Sequence, residues 1–238
     1  AAVPSSMQIG TVLDNRYRIT AFLGAGGMGE VYRAEHIHIF KTVAIKLLKP
    51  EITGDADVLA RFKREAMLAS SIGHPSIVRI EDFGELPDGR VYMAMECLTG
   101  ETMAAASSRQ PVDVVRALGW MRDVALAMAA AHDKGIIHRD LKPENVFIAR
   151  QDGQETVKIV DFGIAKMRAG MTISPAGRPH NADASTLTQE GHVFGTPYYM
   201  SPEQAMGMPV DARSDIYAMG VMLYELLSGK VPFSEGSF

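Results

Sequence analysis

Between residues 17 and 96 the chain alternates short runs rich in β-branched and aromatic residues with tight turns, which predicts strands over 17–23, 30–35, 42–48, 77–81 and 91–96. One helical pattern interrupts them. Over 57–70 the apolar residues Val58, Phe62, Ala66 and Ala69 recur at helical spacing, with Asp55 or Asp57 as N-cap. After Gly100 the pattern changes. Residues 112–132 are rich in alanine and methionine and predict a long buried helix ending before Gly135; 157–160 predicts a short strand, and 216–227 a second strongly apolar helix. A β-rich half followed by a helical half predicts an α+β, two-lobed architecture with its hinge near 97–100. The expected division is an N-terminal arm over 1–16, a first lobe over 17–97 and a second over 98–238. Residues 168–192 differ in kind: Met171, Ile173 and Leu187 are their only large apolar side chains, which predicts a mobile loop or insert.

Composition narrows the class without reaching chemistry. Hydrophobic residues make up 47% and charged residues 22% of 238, near globular averages and unlike disordered, collagenous or coiled-coil chains. The formal charge of −4 and a pI near 6.0 give no support for nucleic-acid binding. A single cysteine, Cys97, forbids an internal disulfide and fits a reducing compartment. No apolar run approaches the ~18 residues of a membrane span, and no basic-then-apolar leader opens the sequence. The expectation is a cytoplasmic globular protein.

Three motifs carry the chemistry. The first, Gly24-Ala25-Gly26-Gly27-Met28-Gly29-Glu30-Val31, lies between two predicted strands. Glycines let main-chain N–H groups approach phosphate oxygens closely, although a glycine-rich hairpin without a ligand is equally compatible with this motif alone. It leads into a strand rather than a helix, which excludes a dinucleotide-binding fingerprint, and it lacks the Gly-Lys-Ser/Thr of a Walker loop. The second motif is Val43-Ala44-Ile45-Lys46. Alternation puts Val43, Ile45 and Leu47 on one face, and Ala44, Lys46 and Leu48 on the other. Lys46 either snorkels to water or pairs with an acid. Glu65 shares the inward helix face of Phe62 and Ala69, so an ion pair is the expected solution for two inward charges. The third motif is His138-Arg139-Asp140-Leu141-Lys142-Pro143-Glu144-Asn145, followed by Asp161-Phe162-Gly163.

In this order and spacing, with Ser201-Pro202-Glu203 after them, these residues resemble the eukaryotic-like protein kinase family over about residues 17–233. The resemblance implies two lobes around an ATP cleft and assigns roles position by position. Gly24, Gly26 and Gly29 cover the phosphates. Lys46, held by Glu65, contacts the α- and β-phosphates. Asp140 accepts the proton of the attacking hydroxyl, while Asn145 and Asp161 hold magnesium, with manganese as an alternative ion. Leu23, Val31, Ala44 and Phe147 line the adenine site, Met95 resembles the gatekeeper, and Glu96 and Leu98 offer hinge hydrogen bonds through their backbones. Lys142 and Thr196 resemble the Ser/Thr-specific branch, in which the lysine steadies the transferred group and the threonine helps hold Asp140. Met200-Ser201-Pro202-Glu203-Gln204-Ala205 is closest to bacterial members.

The resemblance also implies regulation. Arg139 corresponds to an arginine that pairs with a phosphorylated activation-loop residue. Thr188, Thr186 and Ser185 are the candidate phosphosites, and Glu190 supplies part of the negative charge beside Thr188. Asp215 resembles the residue that braces the catalytic loop, a role compatible with a helix N-cap. Kinases of this type continue into further helices, so the chain is expected to be a fragment and Glu203 to lack its arginine partner. The expected partners are protein substrates, with self-association for trans-autophosphorylation, no nucleic acid and no membrane contact from this segment; an anchor elsewhere in the full-length protein stays open. A pseudokinase or scaffold of the same fold is the alternative. The intact set Lys46, Glu65, Asp140, Asn145 and Asp161 argues against it, and Thr196 with Ser201-Pro202-Glu203 argues against a small-molecule phosphotransferase.

Overall fold

The computed structural model describes residues 7–26, 29–49, 59, 63, 66–67, 70–109, 112–162 and 197–233. The chain divides into two compact units, 1–100 with 149–155, and 101–148 with 156–238.

The first unit is built on one antiparallel sheet. Its strands are β1 (Val12–Leu13), β2 (Tyr17–Ala25), β3 (Gly29–His36), β4 (Lys41–Leu48), β5 (Ile80–Glu85) and β6 (Val91–Glu96), in the order β1-β2-β3-β4-β6-β5. Strand β4 shows the predicted alternation. Val43, Ile45 and Leu47 enter a core with Leu13, Tyr17, Ile19, Tyr32, Leu86, Tyr92 and Ala94, whereas Ala44, Lys46 and Leu48 are buried outside that cluster. Described residues between 59 and 72 are helical, in line with the helix expected over 57–70. Two expectations shift. Within the stretch read as an arm, Val12 and Leu13 pair with Arg18 and Tyr17, and Leu13 is a core residue. The strand expected over 77–81 starts at Ile80 and runs to Glu85, where Asp82 and Gly84 give no apolar alternation.

Long-range bonds explain those two polar positions. Arg16 Nη1 donates to Asp82 Oδ2 at 2.5 Å and Nη2 to the Tyr92 hydroxyl at 2.8 Å. Tyr17 donates to the same Asp82 oxygen at 2.8 Å, and Tyr92 to Asp14 at 2.8 Å. Burial, the largest cause, pushes the Tyr17 and Tyr92 hydroxyls well above the usual phenol range, and the Arg16 guanidinium holds the Asp14 carboxyl below its own. Gly84 is needed because a Cβ there would come within 2.4 Å of the Tyr92 hydroxyl.

The second unit is mainly helical: α1 (Met103–Ser108), α2 (Val114–His132), α3 (Pro202–Ala205) and α4 (Ala212–Ser228). A second sheet of β7 (Gly100–Thr102), β8 (Val146–Gln151) and β9 (Gln154–Ile159) has that order. Asp113 caps α2 by accepting from Val115 N at 3.0 Å and Arg116 N at 3.2 Å. The helix is amphipathic rather than buried all round. Ala117, Trp120, Met121, Val124, Ala127, Met128 and Ala131 form its inward stripe, while Val115 is 78% exposed. Helix α4 packs against α2 with Ala218, Val221, Met222 and Leu226 buried. It begins four residues before 216, capped by Asp211, and ends at Gly229 with φ +75°.

Gly84→Ala is expected to displace the Tyr92 ring from Asp14 and Arg16 and to cost about 2 kcal/mol, measured as a lower urea midpoint with unchanged m-value.

Candidate active site

The loop from α2 to β8 is organised by a carboxylate outside it. Asp215, 1% exposed in the first turn of α4, accepts from His138 N at 2.8 Å through Oδ2 and from Arg139 N at 2.9 Å through Oδ1. Its Oδ2 also lies 2.8 Å from His132 Nε2 at the end of α2. These bonds hold Arg139 at φ +64°, a left-handed conformation that a side chain disfavours. The chain reverses there, and Asp140 follows.

His138 is fully buried and fixed on both sides. Its Nδ1 accepts from Asp140 N at 3.3 Å, so the ring proton sits on Nε2, which donates to the Val160 carbonyl at 3.3 Å. The ring packs on Phe162 with centroids 4.8 Å apart. Burial, outweighing the nearby Asp215, Asp140 and Asp161 carboxylates, pushes the His138 pKa below its ordinary value, so the imidazole is neutral.

Asp140, Lys142 and Asn145 then converge. Lys142 Nζ stands 3.2 Å from Asp140 Oδ2. Asn145 Nδ2 donates to the Asp140 carbonyl at 2.8 Å and to Oδ2 at 3.2 Å. With its NH2 group so engaged, Asn145 presents Oδ1 as an oxygen donor. The Asn145 carbonyl accepts from Val160 N at 2.9 Å, which ties this loop to the end of β9, where Asp161 sits at φ +54°. Lys142, Tyr199, Met200 and Gln204 line a small cavity with Asp140.

The segment after Pro197 is bonded to the same loop. Ser201 caps α3, and Gln204 closes the capping box by accepting from Ser201 N at 3.1 Å. Glu203 accepts from the Ser214 hydroxyl, which, ahead of other causes, holds its carboxyl below the usual range. Asp215 is not the N-cap, which is Asp211; it lies inside the helix.

In the first unit, Gly24 pairs with Val31, Val31 with Lys46 and Lys46 with Met93, one row across four strands; Ala44 pairs with Met95 two rows away. Leu23 sits at a bulge between Phe22 and Gly24 and is 47% exposed. Lys46 is buried, and Glu96 N donates to the Arg79 carbonyl at 3.0 Å. A Cβ at Gly29 would meet the Leu47 carbonyl at 2.0 Å, whereas one at Gly24 or Gly26 would meet nothing within 4 Å among the described residues. Leu98 follows β6, and Phe147, half-buried, lies on β8. Glu65 and all of residues 163–196, with Thr196, Thr188, Thr186 and Ser185 among them, fall outside the described residues. Sequence reasoning missed His132 and the part played by Gln204. His132 had been placed only as the last residue of a helix, and nothing in local spacing connects it to Asp215, 83 positions away.

Residues 17–237 match the protein kinase domain family, and the chain belongs to it. It is 46% identical over 222 residues to the serine/threonine-protein kinase pkn2 of Myxococcus xanthus, covering 93% of this chain and 25% of that one. The serine/threonine-protein kinase PrkC of Bacillus subtilis is 40% identical, with 95% and 32% covered. The chain thus spans a quarter to a third of these two relatives. Among solved structures, the Mycobacterium tuberculosis PknI kinase domain superposes with a TM-score of 0.74 at 28% identity, covering 96% of this chain and 80% of that one.

Because His138 is harder to protonate folded than unfolded, stability is expected to fall as pH drops below its ordinary value of 6.5. Thermal midpoints from pH 7.5 to 5 should decline more steeply for the wild type than for His138→Asn.

Proposed function

We propose that the chain transfers the γ-phosphoryl group of ATP to serine or threonine hydroxyls of proteins. The observation that carries this reading is the constrained Asp140 carboxylate, with Lys142 Nζ and Asn145 Nδ2 both 3.2 Å from Oδ2 on a loop clamped by Asp215. A general base must be positioned before its basicity matters. The substrate oxygen bonds to the γ-phosphorus as its bond to the β-phosphate oxygen breaks; Asp140 takes the hydroxyl proton and ADP departs. Lys142, beside that carboxylate, is placed to steady the transferred group, and Thr196 is assigned to hold both. Positioning and electrostatics supply most of the rate in such a transfer.

The residues fit ATP and a divalent ion. Gly24 and Gly26 have open space among the described residues where a Cβ would sit, so the fold itself does not demand glycine there, and that space admits phosphate oxygens close to the backbone. Gly29 lies in the same turn. The row Gly24–Val31–Lys46 puts Lys46 beside the glycine loop, with Glu65 as its assigned partner, and Val31, Ala44, Leu23, Met95 and Phe147 are assigned to the base, with the Glu96 and Leu98 backbones. Among the described residues no group of three or more His, Cys, Asp and Glu could hold a metal. Asn145 and Asp161 would hold magnesium or manganese through side-chain oxygens. Bound there, the ion neutralises phosphate charge.

Arg139 Nε is buried and has no hydrogen-bond partner among the described residues, which suits an arginine that receives a phosphate. We assign Thr188 as the acceptor, with Thr186 and Ser185 as alternates, reached by trans-autophosphorylation between copies. No helix among the described residues is long and apolar enough to cross a membrane. A cytoplasmic location for this domain fits Cys97 as a free thiol.

Incubated with Mg-ATP and a basic protein substrate, the wild type should incorporate phosphate, with Asp140→Asn slower by about 10²–10⁴-fold and Lys46→Met similarly impaired. Equal incorporation by all three removes the reading. Gly26→Ala should raise the KM for ATP severalfold while moving the thermal midpoint by less than about 2 °C. Phosphopeptide mapping should find phosphate on Thr188; none between Thr172 and Thr188 rejects that assignment.

A further inference from the structure

The peptide that joins Arg139 to Asp140 is held at both ends, and only one of its two holders belongs to the loop. Its N–H, on Asp140, donates to His138 Nδ1 at 3.3 Å. Its carbonyl, on Arg139, accepts from Gln204 Nε2 at 2.8 Å. The preceding peptide is fixed through Arg139 N by Asp215. A residue at φ +64° leaves this conformation unless its surroundings over-determine it, and the tilt of the Arg139–Asp140 plane sets where the Asp140 side chain leaves the backbone.

The amide of Gln204 is suited to this work in a way other side chains are not. Oε1 accepts from Ser201 N at 3.1 Å and from the Ser201 hydroxyl at 3.2 Å, while Nε2 donates to Arg139. Both main-chain partners have fixed roles, an N–H that only donates and a carbonyl that only accepts, so the amide has one orientation. Leucine would lose both bonds. Ionised glutamate would keep the first and set its second oxygen against the Arg139 carbonyl; protonated, it could donate again. Gln204 also lines the cavity that holds Asp140 and Lys142, with Tyr199 and Met200 from its own segment.

We propose that Gln204 is a positioning residue for Asp140: by clamping the Arg139 carbonyl it fixes the carboxylate and makes that fixing depend on the Pro197–Ala205 segment being in place. This rests on the reading of Asp140 as general base, and the test separates the two. Phosphorylation of a basic protein substrate is measured for the wild type, Gln204→Leu, Gln204→Glu and Asp140→Asn, with hydrogen exchange of the 138–142 and 114–131 peptides and thermal midpoints alongside. Gln204→Leu is expected to lower kcat about tenfold or more at an unchanged KM for ATP and to speed exchange in 138–142 but not in 114–131. The Gln204→Glu variant is expected to match Gln204→Leu at pH 8 and to regain activity relative to the wild type as pH falls toward 6. A kcat within twofold of the wild type for Gln204→Leu overturns the proposal. So does a loss shared equally by both variants at every pH that follows the thermal midpoint, because that is a folding defect. A wild type no faster than Asp140→Asn removes the general-base reading, and exchange in 138–142 then still decides whether Gln204 holds the loop.

Discussion

The second unit depends on how one buried negative charge is satisfied. The Asp215 carboxylate is buried, and burying such a group is costly unless hydrogen bonds replace water. The replacement here is two consecutive main-chain N–H groups, of His138 and Arg139, and the His132 ring. Those N–H groups can reach one carboxylate only if the backbone turns sharply, which explains a left-handed arginine. From that turn follow the burial of the His138 ring, the contact of Asp140 N with Nδ1 and the approach of Asn145 to Asp140. The geometry around Asp140 is thus a consequence of burying a charge well, and the α2–α4 packing brings the charge there.

The first unit rests on a different constraint, the period of two along β4. One side of that strand joins the apolar core; the other is also buried, and it carries the lysine. A sheet buried on both faces cannot shift its register by one residue without moving Lys46 into the core and Ile45 or Leu47 out of it. The position of the lysine relative to Val31 and Met93 is therefore specified by hydrophobic patterning. The Asp14–Arg16–Asp82–Tyr92 network fastens the β1 edge of the sheet and the turn after it to β5 and β6 at the opposite edge.

Strands β2, β3, β4 and β6 and helix α2 were legible because each carries its own period, and the motifs were legible as a family signature because their residue types and spacing match it. What was missed required distant partners. Asp82 and Gly84 look like loop residues until Arg16, Tyr17 and Tyr92 arrive from elsewhere in the chain. Ser214 looks like a solvent-facing first-turn residue, yet it is buried because Glu203 and Ser201 satisfy it, whereas Asp215 was legible from the resemblance as the brace of the loop. The β8–β9 hairpin is a different kind of miss. Asp152-Gly153, both at positive φ, is a strong turn signal lying in plain view, and only its second strand was read, and that in part. Gln204 was read only as wording within a motif, although its amide reaches a carbonyl 65 positions away.

The three glycines of the first motif do not record the same history. Gly29 is where β3 comes so near the Leu47 carbonyl that no side chain fits, a demand of the sheet that persists whatever the protein binds. Gly24 and Gly26 face open space among the described residues. In a descendant that kept this fold for scaffolding and gave up nucleotide, substitutions would accumulate at 24 and 26 while 29 stayed glycine. Counting glycines in the loop would overstate what such a descendant retains; asking which glycines remain would separate a surviving fold from a surviving activity.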